Sequence, residues 1–563
     1  MNSCSSSFIA RAKTAIDTAD VISFDIFDTL LIRPYVRPWD LFRHLEERES
    51  ATGFAVARVF ADIYAKRWKY RHMEDITLDH LYSLMPQRFE ALKSKEAALE
   101  LQVLRANPEL SEVYRYAQEK KKRIIIVSNM YLSIDVIEQS LAKNGFIGYE
   151  KFYLSSYLNK RKSLSLFNHV IEDLGVSPHT IVHIGDNTID DNISARRAGM
   201  NVVPYMKVLD QFFQSHTSNE AKMQLKRFRS QALLSISASV TLALASERWH
   251  REMLTGEKYS YWNSFGYKYA APLIFSFVQF IKQQSYDANI EKIWFLSRDC
   301  FLVQKIYQLV DPAMPSEYVY APRKTAFEYG DGSSSSAQAY ATYIRQLTGT
   351  STKMALVDSE TAQFTGQKFI QKLLGFTVLG LYWQVLLKPR GDTPYRSCVT
   401  GSFLSGGLLE FIMTSPELPI TEMQGGTPVY QTDPSSYEVI RSKAYEEIVQ
   451  GGIAFVHDMI SVFGDFAPRF GAKNMMKRLS TFTAYPTEAD LTAFAAIYHS
   501  ADEDHRKYTP TVVYNIRFID LLREPRKNYN VIKEAIFRRP WQKMVVRAGR
   551  VFEVIRAHYH NFK

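Results

Sequence analysis

Residues 21–34 read VISFDIFDTLLIRP. Val21 to Phe24 form a short, mainly apolar run of the kind that fills the centre of a parallel sheet, and Asp25 closes it. A turn holding Asp28 and Thr29 follows, then an apolar exit through Leu30 to Ile32. In open α/β sheets the chemistry lies just past the carboxyl ends of the strands, which is where Asp25 falls.

The flanking sequence extends this pattern. Residues 8–19 predict a short helix leading into the strand. From residue 39 to about 122, apolar residues recur at three- and four-residue steps with almost no glycine, which predicts a helical insertion. Strands are then expected at 123–127 (RIIIV, ending in Ser128-Asn129-Met130), 151–154, 180–184 (ending in Gly185-Asp186-Asn187) and 201–203. Helices at 136–144, 164–174 and 192–198 separate them, the first closed by Gly145 as a left-handed cap and the second with Gly175 at its end. Strands alternating with helices imply a doubly wound parallel sheet.

Residues 207–255 read as a polar helical connecting arm. A second α/β stretch has strands at 290–296 (ending in Ser297-Arg298-Asp299), 318–320, 354–357 (ending at Asp358) and 378–385, with a helix at 301–310. The remainder to 530 reads as mixed and mostly helical, and no internal repeat is visible. The expected organisation is therefore 1–206 with a helical cap at 36–122, the arm at 207–255, a second α/β domain at 256–530, and a basic amphipathic helix at 531–563. Seven Lys/Arg against the single acid Glu553 in 538–563 make that last segment either an ordinary terminal helix packed on the second domain or a candidate for contact with an anionic membrane surface.

A chain of 563 residues exceeds one ordinary core, and 46% hydrophobic with 23% charged residues is ordinary globular composition. Cys4, Cys300 and Cys398 form no metal-ligand spacing, so a reducing cytoplasm is expected. No apolar run reaches the ~20 residues of a membrane-spanning helix, and the N-terminus does not read as a secretory signal. The balance of 69 basic and 59 acidic residues gives +10, which reads first as a mildly basic surface and, more sharply, as one for an anionic partner such as a phosphorylated sugar, glycolipid headgroup or membrane. Nucleic acid is not expected, because no helix-turn-helix, zinc-finger or aromatic-basic RNA motif is present.

Four strand ends carry polar groups that a parallel sheet would gather on one edge. They are Asp25 with Asp28 and Thr29, Ser128 with Asn129, the cluster Lys160-Arg161-Lys162, and Asp186 with Asp190 and Asp191. An attacking carboxylate, a hydroxyl, a cation and a second acidic pair suit phosphoryl transfer. Paired carboxylates suit Mg²⁺, which keeps waters and binds substrate phosphate.

FDIFDTLL, IIIVSNMY and HIGDNTIDDNISARRAGM resemble, in order and spacing, the first, second and fourth motifs of the haloacid dehalogenase-like (HAD) hydrolase superfamily. The helical insertion is similar to that superfamily's C1 cap, and the resemblance covers about 15–205. It implies that Asp25 is the nucleophile and holds Mg²⁺ with Asp186 and the backbone carbonyl of Phe27. Asp191, favoured over Asp190 on spacing, would support or ligate the metal. Ser128 and a lysine would hold phosphate, with Thr29 and Asn129 beside the substrate. Two positions depart from the family. Phe27 stands where its phosphatases carry a second Asp as general acid/base, with Asp28 one residue further on. Spacing to Phe167 puts Arg161 at the lysine position, and Lys162 is the candidate preferred here. The expected activity is a Mg²⁺-dependent hydrolase or phosphotransferase acting on a phosphorylated sugar or related metabolite. The alternative is a catalytically silent HAD scaffold supporting a glycosyltransferase-like or ligand-binding C-terminal domain.

WFLSRDCFL, YVYAPRK and ALVDSETAQFTGQ resemble stretches that follow HAD-like domains in bacterial proteins of surface-polysaccharide gene clusters. Cys300 replaces a glycine of that pattern, and Ser359-Glu360 replace Ile-Gly. Arg298, Asp299, Arg323 and Asp358 are candidates for an anion or sugar-phosphate pocket, arginine offering bidentate contacts. A buried Arg–Asp pair organising the core is the other reading of the same residues.

Overall fold

The structure, a computed structural model, describes residues 5–215, 235–321, 335–361, 363–387, 393–400, 406–500 and 508–512. The chain divides into two compact units, Met1–Lys258 with Asp458–Arg469, and Tyr259–His457 with Phe470–Lys563. Among the described residues no helix is long and apolar enough to cross a membrane.

The first unit has strands β1 (Val21–Phe24), β2 (Leu31–Ile32), β3 (Arg105–Ala106), β4 (Arg123–Ser128), β5 (Lys151–Leu154), β6 (Ile181–Gly185) and β7 (Asn201–Pro204). Its main sheet runs β5-β4-β1-β6-β7, and every pairing in it is parallel. β1 is buried along its whole length, as expected for a central strand covered on both faces. On one face Val21, Ile125 and Ile181 pack with Leu166, Phe167 and Val170 of the helix Leu166–Leu174. On the other, Phe24 meets Tyr114 of the helix Pro108–Glu119, ring centroids 5.3 Å apart. Gly175 ends the helix Leu166–Leu174 with φ of 63°, a left-handed cap that glycine adopts without strain.

β2 and β3 pair antiparallel and bracket the helices inserted after β1. Those helices, Asp40–Glu49, Phe54–Tyr64, Leu78–Tyr82 and Leu92–Val103, close around a buried arginine. Arg58 donates to both oxygens of Glu96 at 3.0 Å, Tyr82 adds a hydroxyl at 2.9 Å, and the guanidinium lies 4.5 Å from the ring centres of Phe42 and Tyr131. This pairing and the two ring faces offset part of the cost of taking both charges out of water, and removing either partner alone would leave an uncompensated buried charge. Further on, the helix Ile236–Thr255 is buried along most of its length, and its Ser239 hydroxyl donates to Asp40 at 2.7 Å.

The second unit has strands β8 (Lys292–Leu296), β9 (Ser316–Val319), β10 (Met354–Thr361), β11 (Leu379–Val385) and β12 (Tyr395–Thr400) in the all-parallel order β12-β11-β10-β8-β9. Trp294, Leu356, Ile370 and Val378 lie in its core. β10 runs past Asp358 to Thr361 because Glu360 and Thr361 continue the ladder opposite Gln384 and Val385. Asp358 therefore sits inside the strand and not at its end. A hairpin of β13 (Ile420–Gln424) and β14 (Thr427–Tyr430) follows, where the sequence reads as mostly helical. The predicted basic helix at 531–563 lies outside the described residues.

Candidate active site

In the first sheet the strand order reverses at β1, so the crevice between the carboxyl ends of β1 and β6 is its topological switch point. Asp25 and Asp186 stand at those two ends, and oxygens of Asp25, Asp186 and Asp191 all lie within 4.8 Å of one another. Lys162 reaches into this group, its Nζ 2.5 Å from Asp25 Oδ1 and 2.6 Å from Asp191 Oδ1. The end of β4 positions it, since Asn129 Oδ1 accepts the Lys162 main-chain N–H at 3.1 Å. The neighbouring Arg161 N–H goes instead to the Glu74 carboxylate, at 3.0 Å.

Asp191 is held from behind. Its Oδ2 accepts the Asn187 N–H at 2.8 Å, and His183 Nε2 lies 3.2 Å from its Oδ1. Burial pushes His183 down and keeps it neutral, so Nε2–H donates to Asp191 and Nδ1 accepts the Ser23 hydroxyl at 2.7 Å. Ser23 and His183 are direct partners across β1 and β6. A side chain at Gly185 would run into the Asp191 carboxylate, so the strand must end in glycine there.

The charges are unevenly compensated. Burial raises Asp25 to about 8; Lys162 opposes this, while Asp191 and Asp186 add to it. Burial likewise raises Asp186 to about 6 against the pull of Lys207. For Asp191 burial acts upward too, but Lys162 and His183 outweigh it and hold the carboxyl below its usual range. Lys162 stays above its ordinary value because Asp191 and Asp25 overcome its own burial. The shortage of positive charge thus falls on Asp25 and Asp186. A hard divalent cation fits that pair, with Asp191 anchoring Lys162 beside it.

Phe27 and Asp28 are turned to other partners. The Phe27 ring lies under the Arg33 guanidinium, 4.1 Å away, and Arg33 donates to Glu100 at 2.6 Å. Asp28 adopts φ of 57°, and its carboxylate binds Lys207 at 2.9 Å. The same Lys207 ammonium is 2.9 Å from Asp186 Oδ2. Thr29 donates its hydroxyl to Asp186 at 3.2 Å, and Asn129 donates to Asp190 at 3.1 Å. The Ser128 hydroxyl is fully buried at the end of β4 and has no hydrogen-bond partner among the described residues. His183 and Lys207 are site residues that sequence reasoning missed. A histidine inside an otherwise apolar strand, facing a serine inside another, was the available signal for the first. A lysine just past β7 carried none.

The second unit gathers a separate polar set where its own strand order reverses, between β8 and β10. Asp299 accepts the Ser359 hydroxyl at 2.8 Å, and Asp358 accepts the Ser359 N–H at 2.8 Å. Arg298 sits in the left-handed region at φ of 66°, its N–H donating to the Tyr318 hydroxyl at 2.8 Å. Its guanidinium lies 3.9 Å from the Glu438 carboxylate. Cys300 is buried with φ of −116°, so this position accepts a side chain where the related pattern has glycine. Arg323 lies outside the described residues.

Residues 45–204 match the family described as haloacid dehalogenase-like hydrolase. The match includes Ser128, Lys162, Asp186 and Asp191 and begins after Asp25. Among solved structures, an L-2-haloacid dehalogenase is 16% identical, covering 33% of this chain and 85% of its own, at a TM-score of 0.26. A predicted phosphoglycolate phosphatase from Haemophilus somnus is 15% identical, covering 34% and 88%, at 0.25. A HAD-family enzyme from Bacteroides thetaiotaomicron is 17% identical, covering 35% and 99%, at 0.27. Another structure of that enzyme, a mutant in complex with magnesium and inorganic phosphate, is 16% identical, covering 34% and 95%, at 0.24. No curated protein matches the chain.

Proposed function

We propose that the haloacid dehalogenase-like first unit is a Mg²⁺-dependent hydrolase that takes a phosphoryl group from a phosphorylated sugar or related metabolite onto Asp25. The observation that carries this reading is Lys162, buried between Asp25 and Asp191, with Asp186 alongside. Lys162 fixes one oxygen of Asp25 and leaves the other for attack on phosphorus. That attack would form an aspartyl-phosphate and expel the leaving oxygen; water would then release inorganic phosphate and restore the carboxylate. Lys162 and the uncommitted Ser128 hydroxyl are the groups suited to phosphate oxygens. Mg²⁺, when held by Asp25 and Asp186, supplies charge neutralisation at those oxygens. With Phe27 in the position of the usual acid, the leaving group departs without a proton from that side chain.

The stacking of Phe27 under Arg33 and the capture of Asp28 by Lys207 favour a second reading, a HAD scaffold without turnover. Phosphatase assays on a panel of sugar phosphates, with and without Mg²⁺, separate the two. Metal-dependent release of phosphate that disappears in Asp25→Asn supports the hydrolase. Wild type without turnover, beside an active Phe27→Asp variant, supports the scaffold.

A further inference from the structure

The helix Phe54–Tyr64 and the turn Ala65–Lys69 that continues it carry an apolar face that no described residue covers. Val56 is 75% exposed, Phe60 62%, Ile63 50% and Trp68 54%. Phe60 stacks on Tyr64 at 6.0 Å between ring centres and Tyr64 meets Trp68 at 5.8 Å, so the aromatic rings form a continuous ladder. The opposite face is anchored in the unit's interior through Phe54, Ala55, Arg58 and Ala61. Isolated exposed apolar side chains are ordinary, but five at helical spacing on a rigidly held face mark an interaction surface.

Charge identifies the occupant. The ladder leads into the run KRWKYRH at 66–72, which carries Lys66, Arg67, Lys69 and Arg71 and no acid of its own; Lys66 pairs back with Asp62 at 2.8 Å. All four are exposed. A second copy docked about a two-fold axis would set this basic run close to its own counterpart. Exposed tryptophan and tyrosine bordered by lysine and arginine are the composition of a surface that lies in the headgroup layer of a bilayer.

We propose that this face of the inserted helices docks on an anionic phospholipid membrane. The aromatic ladder enters the headgroup boundary, and the basic run pairs with lipid phosphates. The contact is peripheral, since only one side of the helix is available.

The test is sedimentation of the full chain with vesicles of equimolar phosphatidylglycerol and phosphatidylcholine, beside vesicles of phosphatidylcholine alone. Wild type should partition onto the anionic vesicles, and amide exchange should slow within residues 56–72 when they are present. Phe60→Ser with Trp68→Ser should lower the partition coefficient by about tenfold or more, as expected for losing two large apolar anchors. Lys69→Glu with Arg71→Glu, both exposed, should give a comparable loss and leave the Phe60, Tyr64 and Trp68 rings in place. Three results overturn the proposal. These are no binding to anionic vesicles, binding that both variants retain, and a vesicle-independent dimer that the Phe60/Trp68 variant abolishes.

Discussion

At position 27 a single side chain separates two kinds of catalyst. The Phe27 ring under Arg33 leaves Asp25 without a titratable neighbour two residues on, and Asp28 faces Lys207 because its left-handed backbone turns it that way. Phe27→Asp would restore a carboxyl, but beside a guanidinium that favours its ionised form. As a proton donor it would be handicapped, so the gain should fall toward the low end of the ~10²–10⁴-fold that general acid catalysis supplies. The increase should appear in kcat for alkyl phosphates and be nearly absent for p-nitrophenyl phosphate, whose leaving group needs no proton. Equal increases on both substrates would show that the substitution acts by some route other than proton donation.

At the scale of elements, the inserted helices depend on Arg58. Arg58→Ala leaves the Glu96 carboxylate buried beside the Tyr82 hydroxyl without its cation, and breaking a buried pair from one side costs about 3–5 kcal/mol. Denaturant titration should show that loss, and Arg58→Met with Glu96→Leu should recover much of it, because no unpaired charge then remains. Nothing in ALKSKEAALELQVL announced that its Glu96 is interior, since the residue type predicts a solvated face. The sheet was far more legible. Apolar runs ending in Asp25, Ser128 and Asp186 place the strands and the switch point, because burial on both faces leaves a parallel strand few other compositions. What the runs could not reveal were long-range pairings: Lys207 on Asp186, His183 behind Asp191, and the ladder that carries β10 past Asp358. Each depends on which strand lies beside which, and side-chain type along one strand does not encode that.

At the scale of the whole molecule, the two units place polar groups at the switch points of two differently ordered sheets, and the first unit also contains a group that ties folding to pH. His44 is buried, accepts the Tyr35 hydroxyl at Nδ1 at 2.7 Å, and packs edge-on against Phe463. Burial, aided by the positive charge of Arg48, pushes its pKa from 6.5 down to about 3. A depressed pKa means that the unfolded chain binds the proton first as pH falls. The stability gained by keeping His44 neutral is therefore complete above its unfolded value of 6.5 and drains away as pH drops toward about 3. The slope in that window is about 1.4 kcal/mol per pH unit for one such proton. His44→Leu removes the titration along with the Tyr35 bond, so the variant should start less stable yet decline more slowly with acid. Unfolding free energies measured at several pH values between about 6.5 and 4 should converge for the two proteins. Parallel curves would mean that His44 takes up its proton without leaving the folded state, and that the packing around Tyr35 and Phe463 yields to admit the charge.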